Sequence, residues 1–318
     1  PADFATLEDN LATACNAYTT FKSTHTIGTG LGQYNGSSYS DMETALEKAQ
    51  NESSVYTAAQ LTTDIATLEN PATKLTINQP TAGQFLLVKG GNSGKYVKYG
   101  STSSKKYSMG DTDKTAIFYY DGTHLLSYSS GIYWGVTGTS WNWTAIGETG
   151  SEISFLESNT PGRYFVSLPL GTSTYSYVLL YDNSTACDRG ASNDLSSVTL
   201  ANYTWLLEEV TTLPVTITSA GYATLYSPVA LSIPSGITAY KATDMDTYLT
   251  LTAVASSEGE VIPANTGVIL AGSTGTYNFT TTTTGETVSG NALTGTVAAI
   301  SRPEGSYILA TGSSGVGF

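Results

Sequence analysis

Gln84-Phe85-Leu86-Leu87-Val88, Gly94-Lys95-Tyr96-Val97 and Ala116-Ile117-Phe118-Tyr119 open a stretch, 83–210, that runs through one pattern three times. The second pass is His124-Leu125-Leu126, Gly131-Ile132-Tyr133-Trp134 and Glu152-Ile153-Ser154-Phe155. The third is Arg163-Tyr164-Phe165-Val166, Ser176-Tyr177-Val178-Leu179 and Thr204-Trp205-Leu206-Leu207. Each pass reads as a strand, a Gly/Ser/Asn turn, a second strand, a variable loop and a short apolar strand. The starts recur at roughly 40-residue intervals, and such self-similarity marks a repeat architecture. No single unit can bury its own apolar face. Three of them are therefore expected to close into a small barrel with three-fold pseudo-symmetry.

This cycle resembles the β-trefoil, in particular the ricin-B-like lectin family, over the middle third of the chain. Repeats of that family typically end in Gln-x-Trp. The matching positions here read Ala116-Ile117-Phe118, Glu152-Ile153-Ser154-Phe155 and Tyr203-Thr204-Trp205. Only the third keeps a Trp and none keeps the Gln, so the family's polar sugar contacts do not carry over residue by residue.

The flanks differ from the centre. In 3–70, Phe4, Leu7, Leu11, Ala14, Tyr18 and Phe21 form an apolar stripe at helical spacing, with Asp3 as its N-cap. A second helix is expected from Ser40, with Glu43 completing a capping box, and a third from Ala58, Leu61, Ile65 and Leu68 to Pro71. Three short amphipathic helices bury their stripes against one another as a bundle. The run Ile27-Gly28-x-Gly30-x-Gly32-Gln33-Tyr34, placed between two helices, resembles the FIVAR-type helical repeats of bacterial surface proteins. Residues 71–82 read as linker.

From Leu213 onward, strict alternation in Val215/Ile217, Leu249/Leu251/Ala253 and Tyr277/Phe279 mixes with continuous runs at Val268-Ile269-Leu270 and Tyr307-Ile308-Leu309. Short strands between Gly/Pro turns point to a β-sandwich. Leu213-Pro214-Val215-Thr216-Ile217 and Ile262-Pro263-Ala264-Asn265-Thr266-Gly267-Val268-Ile269-Leu270 resemble β-rich C-terminal modules of secreted Bacteroidetes proteins. The reading is thus a multi-domain, mainly β chain. It comprises a three-helix bundle over 1–72, a β-trefoil over 73–211 and an antiparallel β-sandwich over 212–318. The chain is expected to be a mature or trimmed form that continues past Phe318.

Charged residues make up 12% of the chain, about half the usual globular share, and the net charge is −13. A surface hydrated by hydroxyls and amides fits an extracellular or cell-surface protein. The acidity and the lack of a Lys/Arg stripe exclude nucleic acid as a partner. No apolar run is long enough to span a bilayer. Cys15, on a helix, and Cys187, in a barrel loop, fall in different domains and are not expected to bridge. With 2 His in different domains, no paired Cys and no metal-spaced cluster, neither a catalytic centre nor a cofactor is expected.

The second repeat concentrates aromatic residues: Tyr128, Tyr133, Trp134, Trp141 and Trp143, together with Asn142. Aromatic planes match the C–H faces of a sugar, and amides or carboxylates match its hydroxyls. The same rings could instead fill the barrel floor. Asp182, Asn183 and Asp188 of the third repeat supply further candidate polar contacts. The leading expectation is a non-catalytic extracellular glycan-binding protein. The alternatives are a structural surface, assembly or adhesin component without sugar binding, and an accessory fragment of a larger secreted glycoside hydrolase. Expected partners are glycans, with other surface proteins or further domains of the same chain as the other possibility.

Overall fold

The protein is described by a computed structural model covering residues 3–51, 55–100, 107–136, 144–147, 150–168, 175–243, 249–283, 285–306, 308–312 and 315–317. Helix α1 (Phe4–Thr24) starts where Asp3 Oδ1 accepts from Thr6 N at 2.8 Å, and it buries Leu11, Ala14, Tyr18 and Phe21. Helices α2 (Tyr39–Gln50) and α3 (Ala58–Leu68) pack on it and on each other. The capping box lies at α3, between Thr57 and Gln60, and not at Ser40 and Glu43. Because α2 begins at Tyr39, Ser40 is already inside it. Glu43 instead accepts from Tyr18 Oη at 2.5 Å and from Lys22 Nζ at 2.6 Å.

The expected linker is structured. A short helix α4 (Pro71–Lys74) leads into β2 (Thr76–Ile77), which pairs with β1 (Tyr34–Asn35). Asn78 Nδ2 then ties the glycine loop by donating to Gly28 O and Gly30 O.

The centre holds a 12-stranded sheet in three sets of four. The first set is β3 (Gln84–Gly90), β4 (Tyr96–Lys98), β5 (Tyr107–Gly110) and β6 (Phe118–Tyr120). The second is β7 (Leu125–Ser127), β8 (Tyr133–Val136), β9 (Thr144–Gly147) and β10 (Ser154–Glu157). The third is β11 (Tyr164–Leu168), β12 (Tyr177–Asp182), β13 (Ala186–Ser192) and β14 (Thr204–Glu209).

Two features close most of this sheet, whose pairing path ends at β9 and β10. Strands β3, β4, β5, β13, β12, β11 and β14 pair in sequence and return to β3, which removes the free edges of an open sheet. The first and last strands of the sets also neighbour one another, through β3–β6, β6–β7, β10–β11, β11–β14 and β14–β3. Ile153 N donates to Thr123 O at 2.8 Å across the remaining gap, just before β7 and β10.

The repetition extends to backbone conformation. Gly83, Gly122 and Gly162 precede the first strand of each set and adopt φ of 96°, 102° and 77°, where a side chain would be strained. Asp113 and Asp194 cap equivalent 3₁₀ turns by accepting from the N–H two residues on. Leu86, Phe118, Trp134, Tyr164, Val166 and Trp205 fill the interior. Cys187, expected in a loop, lies on β13 with its thiol buried and pushed well above the ordinary value by that burial. Neither it nor the half-buried Cys15 is in a disulfide.

The C-terminal part is two four-stranded antiparallel sheets. Its strands are β15 (Thr212–Ile217), β16 (Tyr222–Leu225), β17 (Ala230–Ser232), β18 (Ile237–Thr243), β19 (Thr250–Ala255), β20 (Val261–Ile262), β21 (Val268–Gly272) and β22 (Gly275–Thr282). One sheet runs β15-β22-β17-β20 and the other β16-β21-β18-β19. Leu213, Leu231 and Phe279 of the first share a core with Ala239, Val268 and Leu270 of the second. The Leu251/Ala253 stripe faces solvent and not this core, with Leu251 40% exposed on the edge strand β19. The strand expected at 307–309 is absent among the described residues, and Ile308 is exposed. A separate hairpin joins β23 (Ala310–Gly312) and β24 (Gly315–Gly317).

These parts are not beads on a string. One apolar cluster runs from the helices into the barrel, and Phe85 and Ile117 of the barrel join the two-sheet core. Polar ties reinforce the first junction: Tyr34 Oη donates to Glu157 at 2.7 Å, Gly32 N donates to Tyr164 Oη at 2.7 Å, and Tyr164 Oη donates to Asn78 O.

Candidate functional site

The six described residues among those expected to meet a ligand do not converge. Trp134 is fully buried, its ring 5.0 Å from Tyr107 and 5.3 Å from Phe118. It is a core residue, not a stacking surface. Its position on β8 alternates with Tyr133, and the pleat sends one ring inward and the other outward. Tyr128 lies at the junction with the two-sheet part, edge-on to Phe85 at 5.7 Å, with its hydroxyl donating to Pro214 O. Burial there pushes its phenol up to about 12. Neither side chain is free to cover a sugar.

In the third repeat, Asp182 is fully buried and bonded within the protein. Its Oδ2 accepts from Ser93 N at 2.7 Å and Ser93 Oγ at 2.8 Å, and its Oδ1 accepts from Ser184 N at 2.8 Å. Asp182 thus clamps the β3–β4 turn of the first repeat to the β12–β13 turn of the third. Asn183 is exposed, and its Nδ2 donates to Asp188 Oδ2 at 2.7 Å. Asp188 is 7% exposed. Asp182 is a structural tie between hairpins, and Asp188 is held by Asn183 within its own hairpin. Trp141, Asn142 and Trp143 lie outside the described residues.

Among the described residues, Tyr133 is the expected aromatic with a partly open ring outside the two-sheet junction, and the structure gives it companions the sequence reading missed. Asp121 begins a tight turn whose Oδ1 accepts from Thr123 N at 2.8 Å and His124 N at 2.6 Å. Its Oδ2 lies 3.1 Å from His124 Nδ1. The imidazole in turn meets the Tyr133 ring edge-on, with centroids 5.7 Å apart. Partial burial works to raise the Asp121 carboxyl, but the His124 and Thr123 N–H groups and the His124 ring outweigh it and hold it below the ordinary value. Gly150 passes against this pair so closely that a Cβ would sit 2.9 Å from His124 Cδ2 and 3.0 Å from Tyr133 Cδ1.

The group rests on a braced hairpin. Gly131, at φ 66°, turns β7 into β8, with its N–H donating to Ser127 O at 2.8 Å. Its carbonyl accepts from Ala299 N at 2.6 Å, so the C-terminal segment passes against the turn. The sequence signal was Asp121-Gly122-Thr123-His124, an Asx-turn pattern with a His at its end.

Chemically, the group offers an aromatic edge and face, an ionised acceptor and an imidazole, all partly exposed. Among the described residues no cluster of His, Cys, Asp and Glu could hold a metal ion. Among them, too, no helix is long and apolar enough to cross a membrane.

No protein-family model matches the chain, and no curated protein matches it. Among solved structures it is similar to a Macrolepiota procera ricin B-like lectin in complex with lactose, at 17% identity and a TM-score of 0.34. That match covers 42% of this chain and 100% of the lectin. It is also similar to a GlcNAcα1-4Gal-releasing endo-β-galactosidase from Clostridium perfringens, at 17% identity and a TM-score of 0.33. Here 40% of this chain is covered, but only 32% of the galactosidase.

Proposed function

We propose that the protein is a non-catalytic, extracellular glycan-binding protein. In this reading its twelve central strands form a β-trefoil and its C-terminal sheets a β-sandwich. The observation that carries the proposal is the partly exposed Tyr133–His124–Asp121 group on the braced second hairpin. The Tyr133 ring supplies an apolar surface for sugar C–H groups, and Asp121 and His124 supply hydrogen-bonding partners for hydroxyls. Trp141, Asn142 and Trp143 fall between β8 and β9 in sequence and belong to the same proposal. Calorimetry against a panel of plant and mucin oligosaccharides tests it. Tyr133→Ala is expected to weaken binding more than tenfold, and a wild-type protein silent at millimolar ligand removes the reading.

A second reading, a structural surface or assembly component without sugar binding, is favoured by the internal use of Trp134, Tyr128, Asp182 and Asp188. The same panel separates the two.

A further inference from the structure

Arg163 is a half-buried guanidinium whose hydrogen bonds go to neutral groups. The chain carries 26 acidic residues against 13 Lys and Arg, yet Lys74 and Lys241 bond to backbone carbonyls. Lys22, Lys48, Lys89, Lys95 and Lys98 each lie within ion-pair distance of a carboxylate. Arg163, half-buried at the start of β11, pairs with none among the described residues. Its contacts are neutral: Nη1 donates to Gly91 O at 3.1 Å and to Thr204 Oγ1 at 3.2 Å.

Those two bonds fix the guanidinium from one corner. Thr204 is buried and anchored, since its Oγ1 donates to Ala201 O at 3.1 Å and its carbonyl accepts from Gly91 N at 2.8 Å. Gly91 leaves the room: a Cβ there would fall 2.4 Å from Nη1. The buried Asp182 carboxylate bordering Gly90, the residue before, is occupied by Ser93 and Ser184. A guanidinium carries five donors in a rigid fork and stays charged, and partly burying it without an anion is costly. One nitrogen is held and the Nε and Nη2 donors are left over, which is the arrangement for a planar, two-oxygen acceptor.

We propose that Arg163 is a recognition site for a carboxylate-bearing sugar of the hexuronic type, bound through both carboxylate oxygens. This deepens the glycan-binding reading and rests on it for the ligand class. The site itself lies on the third repeat and needs nothing from Tyr133.

The test is calorimetry with tri-galacturonate, its methyl ester and a neutral galactose trimer, on wild type, Arg163→Lys, Arg163→Gln and Tyr133→Ala. Tri-galacturonate is expected to bind at least tenfold tighter than its methyl ester. That gain should drop tenfold or more in both Arg163 variants and survive in Tyr133→Ala. Equal affinity for acid and ester, or an unchanged gain in Arg163→Lys, overturns the proposal. Should both Arg163 variants fail to fold, p-hydroxyphenylglyoxal labelling of the wild type replaces them. Protection of Arg163 by tri-galacturonate supports the site, and no protection overturns it. Tyr133-dependent binding of neutral sugars without any acid gain leaves the glycan reading standing and removes Arg163. Acid-only binding that Arg163→Lys abolishes keeps Arg163 and removes Tyr133.

Discussion

Asp182 is the sharpest test of which carboxylates hold the barrel together and which could meet a ligand. It accepts three hydrogen bonds from two different turns while fully buried. A hydrogen bond to a charged group contributes about 1.5–3 kcal/mol, and bonds sharing one carboxylate add incompletely. Asp182→Ala should therefore cost about 3–4 kcal/mol. For a unit of this size that is a fall of roughly 6–15 °C in Tm. Gly90 supplies the control, because a Cβ there would lie 2.1 Å from Asp182 Oδ2 and 3.1 Å from the mobile end of Met109. Gly90→Ala alone should thus be severely destabilising, whereas in the Asp182→Ala background the methyl enters vacated space. A double-mutant cycle by differential scanning fluorimetry and urea denaturation is expected to show a favourable coupling above about 1 kcal/mol. Strict additivity would refute the clamp. So would an unchanged Tm in Asp182→Ala together with a tenfold loss of glycan affinity, since Asp182 would then be a ligand contact after all.

Tyr164→Phe leaves Gly32 N–H and Asn78 O without the hydroxyl that joins them, and should loosen the helices from the barrel by about 2 kcal/mol, read as faster amide exchange at Gly32. Gly131→Ala combines a left-handed backbone, costing about 1–2 kcal/mol, with a Cβ 2.7 Å from Ala299 N; proteolysis should then nick the segment near Ala299 sooner than in wild type. Glu43 is depressed although burial works to raise it, because Lys22 and Tyr18 stabilise its charged form. Its contribution is therefore complete above the unfolded value of about 4.3 and is lost as pH falls through the lower folded value. Acid titration of helicity should show this loss, and Glu43→Gln should flatten it. Replacing Trp141 and Trp143 together by Phe leaves Trp134 and Trp205, both fully buried, so acrylamide should quench the remaining fluorescence little; unchanged strong quenching would contradict the packing of those two indoles.

The repeats were legible because period and turn chemistry agree locally. Each pass places a glycine before its first strand, and all three of those glycines adopt the left-handed backbone that relieves a side chain of strain. The helices were legible for the same reason, and even the misplaced capping box is instructive. Ser40 and Glu43 satisfy the spacing, but Glu43 finds Lys22 and Tyr18 across the helix pair, contacts that no local pattern encodes. Site residues suffered most from this blindness. Tyr133 and Trp134 are neighbours of similar chemistry, yet the pleat sends one outward and seals the other between Tyr107 and Phe118. Asp182 read as a candidate polar contact for a sugar, because the turn it clamps lies 89 positions earlier in the chain.

The same logic explains why the parts are joined as they are. A barrel built from short strands leaves apolar side chains such as Phe85 and Ile117 on its outer surface. In this chain they are covered by the two-sheet part, just as Tyr34 and the helix stripe meet the barrel on another side. Covering those surfaces removes two faces of the barrel from contact with any ligand. Among the described residues of the barrel, the half-buried Tyr133 and Arg163 are the two on which the proposed sugar binding rests. In the proposal, the first offers an aromatic surface and the second a charge held by neutral partners, for the apolar and the acidic features of a single class of sugar.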